Sequence, residues 1–363
     1  MRWRAEPRWP VLAAALVAAA VLLALNLGSL GAVVWRAEGA ARLGAADWAA
    51  ARFTLTQAVA SAVVSVAFAI PVARALARRR FAGRGALILL MGAPFILPVL
   101  VAVIGLLAVF GRGGVVNAAL AWLGLPPVSI YGFHGVVLAH VFFNMPLSVR
   151  LLLQGWARIP AEHQRLGAAL GFGAAARLRH VEGPMLLRVV PGALAVVFLI
   201  SLTSFAVALT LGGGPRATTL ELAIYQAFRF DFDLGRAALL ALLQAAIGML
   251  ALLALARLTL PEPGATGLDR LAPAPPGGVA RSLDAGWIGV AALFLLLPLS
   301  LVVLRGAPHL AGLPPAVWRA LGQSLLVAGL SVLLLAALVA ALTLGGLLRR
   351  WPEGIGMASL VAS

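Results

Sequence analysis

The sequence predicts an all-α fold, a polytopic bundle of transmembrane helices. Of its 363 residues, 62% are hydrophobic and 11% are charged, and the mean hydropathy is +1.02. A soluble domain has about 45–50% apolar and about 25% charged residues. This chain has too little polar surface to face water on all sides, and its apolar residues fall into long runs. Lipid is therefore the predicted solvent.

Eight apolar stretches approach or exceed the length of a membrane span, because about 20 helical residues cross a hydrocarbon core about 30 Å thick. The first stretch follows Arg2, Arg4 and Arg8 but is longer than the 7–15 residues, roughly, of a signal-peptide core. We therefore predict an uncleaved signal anchor. The eight predicted spans are residues 10–35, 53–73, 86–111, 132–149, 185–211, 237–256, 286–304 and 320–348.

Arginine placement predicts the orientation of these spans. All 28 basic residues are arginine, and cytoplasmic loops are enriched in positive charge. A cytoplasmic N-terminus places the two most basic loops inside. Their arginines are Arg74, Arg78, Arg79, Arg80 and Arg84 in one, and Arg150, Arg158, Arg165, Arg177, Arg179 and Arg188 in the other. We predict a multi-pass protein of the bacterial inner membrane, and no nucleic-acid partner, because topology accounts for the net charge of +16.

A Pro/Gly-rich stretch, residues 258–285, is predicted to be a linker. Residues 1–257 would form a first six-span half. Residues 286–363 would begin a second half with two spans, parallel to the first because six spans return the chain to its starting side. On this repeat pattern, we expect the chain to be a partial sequence.

The distribution of polar groups argues against several function classes. All twelve acidic residues lie outside the predicted spans, whereas ion-coupled transporters usually hold ionisable groups within the membrane. Coupling through neutral carbonyls and hydroxyls stays open as an alternative. His134 and His140 are expected at the interface, the chain has no cysteine, and the glycines of 211–215 lack the Lys-Ser/Thr of a phosphate loop. We predict no enzyme activity, cofactor or metal site.

The loop of residues 155–184, called loop 155–184 below, is too polar to enter lipid. Its composition favours a helix on each side of a break at Gly171–Gly173, with Pro184 at the start of the next span. A short amphipathic helix in this position suits docking into a groove of a soluble partner. The alternative is a solvated connector.

Loop 155–184 resembles the EAA loop of binding-protein-dependent ABC permeases, whose pattern is EAA, three residues, Gly, nine residues, I-x-L-P. Here Arg165, Leu166 and Gly167 stand at the EAA positions, Gly171 at the glycine, and Val181 and Pro184 at the isoleucine and proline. Three residues before Arg165 lies Glu162, also assigned to this loop. The resemblance implies a fold like that of type I ABC importer permeases, and it implies that the loop receives motion from an ATPase. Arg165 in place of glutamate changes the charge that the partner would meet.

A second stretch, SFAVALTLGGGPRATTLELAIYQAFRFDFDLGRAALLALLQ at 204–244, is similar to thiamine ABC transporter permeases. This resemblance implies import of thiamine delivered by a periplasmic binding protein and driven by two cytoplasmic ATPase subunits, which would hydrolyse the ATP. Permeases for iron(III) or another small solute are related alternatives. A membrane receptor or scaffold is an alternative of another class.

Four polar residues of the core spans are candidates for the translocation path: Asn144, Ser201, Thr203 and Ser204. Ser201 and Ser204 are three residues apart and would share one helix face. Each hydroxyl taken singly has an alternative role, a hydrogen bond to a carbonyl of its own helix. Asn144 also has an alternative role, which is to form hydrogen bonds with backbone groups left unpaired by Pro146.

Overall fold

The computed structural model describes residues 9–36, 42–214, 217–256 and 278–348. Within these ranges all regular structure is helical, as the fold class predicts. Seven helical segments are long and apolar enough to cross a membrane, and the first predicted span is also helical. The α-helices are α1 (Trp9–Arg36), α2 (Ala45–Arg78), α3 (Arg84–Leu90), α4 (Ala93–Ile96), α5 (Val99–Phe110), α6 (Val115–Trp122), α7 (Phe133–Ala157), α8 (Ala161–Ala169), α9 (Ala174–Arg177), α10 (Gly183–Leu202), α11 (Phe205–Leu211), α12 (Leu220–Arg229), α13 (Leu234–Ala256), α14 (Gly278–Gly306) and α15 (Pro315–Leu348).

The chain divides into two compact units. One comprises Met1–Ala40 and Pro308–Ser363, and its described helices α1 and α15 pack against each other. The other, Ala41–Ala307, contains α2 to α14. These units are defined by contacts in space and differ from the two repeated halves predicted from the sequence, residues 1–257 and 286–363. The division into halves stays a prediction. Residues 258–277 of the predicted linker lie outside the described residues, as do the three leader arginines and everything after Leu348.

Helix α2 is the central helix of the larger unit and packs against α7, α10 and α14. Many of its buried positions are small, including Ala58, Ala69 and Ala73, so neighbouring helices approach closely, as is usual where membrane helices pack. Helix α14 packs on α2 and α5, and the ring of Phe294 lies 5.8 Å from that of Phe142 in an edge-to-face contact.

Two predicted spans are not single helices. The segment 86–111 is divided into α3, α4 and α5, with α4 beginning just before Pro94 and α5 directly after Pro98. Leu97 is extended, φ −73° and ψ 136°, because a residue preceding proline is excluded from the helical region. The second, 185–211, ends its first helix at Leu202 and resumes at Phe205.

Several helices extend beyond their predicted apolar limits, and this corrects the placement of three acids outside the helical spans. Asp47 lies in the first turn of α2, Glu182 in the continuous helical run Ala174–Leu202, and Asp284 near the start of α14. Apolar runs mark only the lipid-facing part of a helix. Each of these acids is paired with an arginine that lies far from it in the sequence. Residues 278–285, assigned to the linker, belong to α14.

Candidate coupling loop and buried polar cluster

Loop 155–184 contains the predicted helix, glycine break and second helix. Helix α8 ends in a Schellman motif, in which the N–H of Phe172 donates to the carbonyl of Gly167 (2.9 Å) and the N–H of Gly171 to that of Ala168 (3.1 Å). Gly171 has φ +66°, a left-handed conformation that glycine adopts at little cost. The glycine of the motif therefore terminates α8 and reverses the chain.

Gly167 supports the same turn by having no side chain. A Cβ atom there would lie 3.2 Å from the ring of Phe172, which folds back over the last turn of α8. The ring of Phe172 lies 5.8 Å from that of His180 on the next helical segment. This packing fixes α8 against the beginning of the following membrane helix.

The outer surface of α8 is mixed in character. Leu166 and Leu170, four residues apart and so neighbours on the helix surface, are 59% and 62% exposed. Glu162 and Arg165 are exposed as well. Two exposed leucines flanked by charges fit an apolar groove of another protein, the use predicted for this loop.

The second helix of loop 155–184 is continuous with the membrane span. Pro184 lies in the first turn of α10, where the sequence placed it, but the helical run that contains it already begins at Ala174. Helix α9 leads through a π-helical turn, Leu178–Glu182, into α10. In this wider turn the N–H of Gly183 donates to the carbonyl of Leu178, and a Cβ atom on Gly183 would lie 2.8 Å from that oxygen. This close contact explains why glycine, and not leucine, occupies position 183, the leucine position of the I-x-L-P pattern. Val181 packs against the core, and Pro184 is exposed.

Glu182, the last residue of the π-helical turn, was not among the predicted site residues. It is 2% exposed, and its two carboxylate oxygens accept hydrogen bonds from Arg74 (2.7 Å) and Arg78 (2.5 Å) of α2. In the sequence this glutamate is one of twelve acids with no motif position. Only the arginines at i and i+4 near the end of α2 signal a site for a carboxylate.

A second group of polar residues, here called the polar cluster, lies buried where α2, α7 and α10 meet. The cluster brings together three of the predicted path residues with residues that were not predicted. Its members are Gln57, Ser61, Ser65, His140, Asn144, Ser148, Ser201 and Ser204.

Hydrogen bonds link the three helices within this cluster. Gln57 Nε2 donates to the carbonyl of Ser201 (2.6 Å), Asn144 Nδ2 donates to Ser201 Oγ (3.2 Å), and His140 Nε2 lies 2.8 Å from Ser204 Oγ. Within the part of the chain that the structure describes, Gln57 Oε1, His140 Nδ1 and Asn144 Oδ1 have no hydrogen-bond partner. Such unsatisfied groups are rare in buried positions, because they carry the full cost of lost hydration.

The predicted path residues differ in their surroundings. Ser201 and Ser204 do not share a helix face, because α10 ends at Leu202 between them. Thr203 is exposed, and its hydroxyl donates to the carbonyl of Ile200, which agrees with the alternative of bonding within its own helix. Asn144 bonds Ser201. Whether these residues line a path stays a prediction.

His140 was expected at the interface and is instead 5% exposed, well inside α7. Its position depends on Ser204, 64 residues later in the sequence. Gln57 was missed for a similar reason, since its partner is 144 residues away. Their only sequence signal is polarity inside an apolar run. His134 is partly exposed and contacts the carbonyl of Ser129.

Three curated relatives show what the chain is similar to. It is 44% identical over 343 residues to the thiamine transport system permease protein ThiP of Brucella abortus strain 2308. It is 45% identical over 288 residues to the protein of the same name from Escherichia coli K12, and 36% over 302 residues to that from Haemophilus influenzae. These matches cover 90%, 77% and 80% of this chain. No family model matches the chain.

The chain spans between 53% and 63% of the length of these curated relatives. A weaker match, 28% identity over 167 residues, is to a probable sulfate transport system permease protein of Helicosporidium. The similarity to the Brucella abortus protein covers 90% of this chain, and the protein is a multi-pass membrane protein. Over most of its length the chain is therefore similar to these thiamine transport system permease proteins.

Proposed function

We propose that this chain is a membrane-spanning permease subunit of an ATP-binding-cassette importer, and that its substrate is thiamine. The substrate is taken from the names of the relatives, which are 36–45% identical to this chain. The chain itself would carry no catalytic activity, and a separate ATPase would hydrolyse ATP. A permease for another small solute is the second candidate, favoured only by the weaker match to a sulfate permease.

The observation that carries the proposal is the construction of loop 155–184. A short helix with two exposed leucines is fixed by a glycine turn and then enters a membrane helix without interruption. Such a segment has a surface for a soluble partner at one end and a helical connection to the span at the other. A displacement of α8 by an ATPase would therefore move α10.

The remaining partners follow from the same proposal. Two ATPase subunits would bind on the cytoplasmic side, a periplasmic binding protein would deliver the solute, and the N-terminus would lie in the cytoplasm of the inner membrane. The polar cluster would move with α10, and Asn144, Ser201 and Ser204 would then change their contacts as the bundle alternates between its two open states.

Reconstitution tests this function. The chain is placed in liposomes with its ATPase and binding protein, and labelled thiamine uptake is measured with ATP inside. ATP-dependent uptake that unlabelled thiamine competes away, and that iron(III) and sulfate do not, supports the proposal. Uptake that persists without ATP and stops with an uncoupler would refute it in favour of an ion-coupled transporter.

Orientation is tested separately. The chain has no cysteine, so single cysteines at Ala168 and at Ala119 are unique labels, on loop 155–184 and on α6. An impermeant maleimide added outside spheroplasts should label Ala119→Cys, but neither Ala168→Cys nor a cysteine at the N-terminus before lysis. Labelling of Ala168→Cys in intact spheroplasts contradicts the proposed topology.

A further inference from the structure

Glu182 occupies a position with unusual connections. It is the last residue of the π-helical turn that joins loop 155–184 to α10, and its side chain is 97% buried. Both carboxylate oxygens are used, Oε2 by Arg74 and Oε1 by Arg78. One side chain thus joins the segment leading from α8 to the end of α2.

The pairing is asymmetric in exposure. The side chain of Arg78 is 4% exposed and that of Arg74 is 25% exposed, so Arg78 and Glu182 form the buried part. A buried ion pair contributes little net stability compared with apolar packing, but breaking it leaves an uncompensated buried charge. Here the ion pair serves to keep the π-helical turn in contact with the end of α2.

The backbone around Glu182 departs from regular α-helical geometry. A π-helical turn contains a wider i→i−5 hydrogen bond, seen here from Gly183 to Leu178, and such turns often occur at functional sites. Movement of α8 could therefore be absorbed at this turn and never reach the bundle. The ion pair opposes that loss, because it holds the turn to α2, the helix that packs against α7, α10 and α14.

We propose that Glu182 is the positioning residue that transmits movement of loop 155–184 to α2 through its ion pair with Arg74 and Arg78. This inference rests on the proposed function, because it needs an ATPase that moves α8. The ion pair supplies a second route beside the continuous helix into α10. With both routes intact, α2 and α10 move together, and the polar cluster between them is displaced as a unit.

The experiment compares Glu182→Gln with Asp47→Asn. The control also neutralises a buried acid of the same unit that is paired with an arginine, Arg236 at 2.8 Å, but at the opposite end of α2. A charge reversal, Glu182→Arg with Arg78→Glu, restores one pair with the opposite polarity. Each variant is prepared as the full chain in nanodiscs and as the complete complex in liposomes.

The first readout needs no partner. Amide hydrogen exchange is expected to rise roughly tenfold in residues 174–183 and in the last turns of α2 for Glu182→Gln, because the local opening free energy falls when the pair is lost. Asp47→Asn should leave these peptides unchanged, and the charge reversal should restore part of the protection. Unchanged exchange in Glu182→Gln overturns the inference, whatever the chain transports.

The second readout is the number of ATP molecules hydrolysed per thiamine imported. Glu182→Gln should raise this ratio several-fold while ATPase binding to the chain is retained, which a loss of folding would not do. A normal ratio, with the wild-type complex transporting, overturns the inference and leaves the proposed function standing. A wild-type complex that neither binds an ATPase nor imports overturns both.

Discussion

Gly171 and Gly173 form a matched pair for testing the turn that ends α8. A Cβ atom at either position would meet no atom within 4 Å, so steric contact does not distinguish them. Their backbones do: Gly171 has φ +66° and Gly173 has φ −67°. Alanine in the left-handed region costs about 1–2 kcal/mol, whereas alanine at φ −67° costs nothing of this kind.

The expected consequence is measurable as partner binding. If the ATPase recognises α8 only with its glycine turn closed, a penalty of about 1–2 kcal/mol weakens the affinity by about 5- to 30-fold. Binding of the purified ATPase to the chain in nanodiscs should therefore weaken by this factor for Gly171→Ala. Gly173→Ala should change it by less than about twofold.

A third variant isolates the backbone conformation. Asparagine adopts the left-handed region more readily than alanine, so Gly171→Asn should recover part of the lost affinity despite its larger side chain. Equal affinities for Gly171→Ala and Gly173→Ala would refute the reasoning, because only Gly171 has a left-handed backbone. Stronger binding by Gly171→Pro than by Gly171→Ala would refute it too, since proline cannot reach φ +66°.

Three further predictions concern the bundle and are measured as unfolding in detergent with increasing SDS. Gly105→Ala should lose about 1–3 kcal/mol, because its Cβ atom would lie 2.8 Å from the carbonyl oxygen of Pro298 and force α14 away from α5. Gln57→Leu should also lose about 1–3 kcal/mol, because the carbonyl of Ser201 loses its hydrogen bond in a buried place. Burial raises the pKa of Glu221 above its ordinary value of 4.5, against the opposing hydrogen bonds of Gln244 and the backbone of Phe205. The folded chain then holds a proton that the unfolded chain releases, so the free energy of unfolding should fall as pH rises from about 4.5, and Glu221→Gln should flatten this slope.

The first two of these predictions have a control within the chain. Gly155→Ala also introduces a close contact, 2.7 Å to Met185 Sδ, but a flexible methionine side chain can move, so its loss should be smaller than that of Gly105→Ala. Ser65→Ala removes a buried hydroxyl that has no partner among the described residues, so it should be nearly neutral. A larger loss for Ser65→Ala than for Gln57→Leu contradicts the assignment of the Gln57 hydrogen bond.

The apolar runs were sufficient to predict the fold class and the approximate position of each membrane helix, because lipid requires about 20 apolar residues per span. The structured helix, turn and helix of loop 155–184 also followed from local composition, since glycine ends helices for reasons confined to a few residues. The apolar character of residues 86–111 indicated a single span. The prolines at positions 94 and 98 explain its division into three helices, but only once the structure is known.

What could not be predicted depends on distant partners. The true ends of α2 and α10 are held by Asp47 with Arg236 and by Glu182 with Arg78, pairs separated by 189 and 104 residues. The break after Leu202 contains neither proline nor glycine, and the carbonyl before it is capped by Gln57 from another helix. Periodicity and propensity describe neighbours along the chain, so they carry no information on such pairs.

The break between α10 and α11 has a consequence for how this protein is assembled. The backbone oxygens of Ser201 and Ser204 accept hydrogen bonds from Gln57 and Thr219, residues that lie far from them or beyond an intervening loop. Unpaired carbonyls are costly in hydrocarbon, so an isolated peptide of residues 183–211 should insert as one straight rod. The break between α10 and α11 would then form only when α2 packs beside this segment. Membrane insertion and formation of the break would therefore be separate steps of folding.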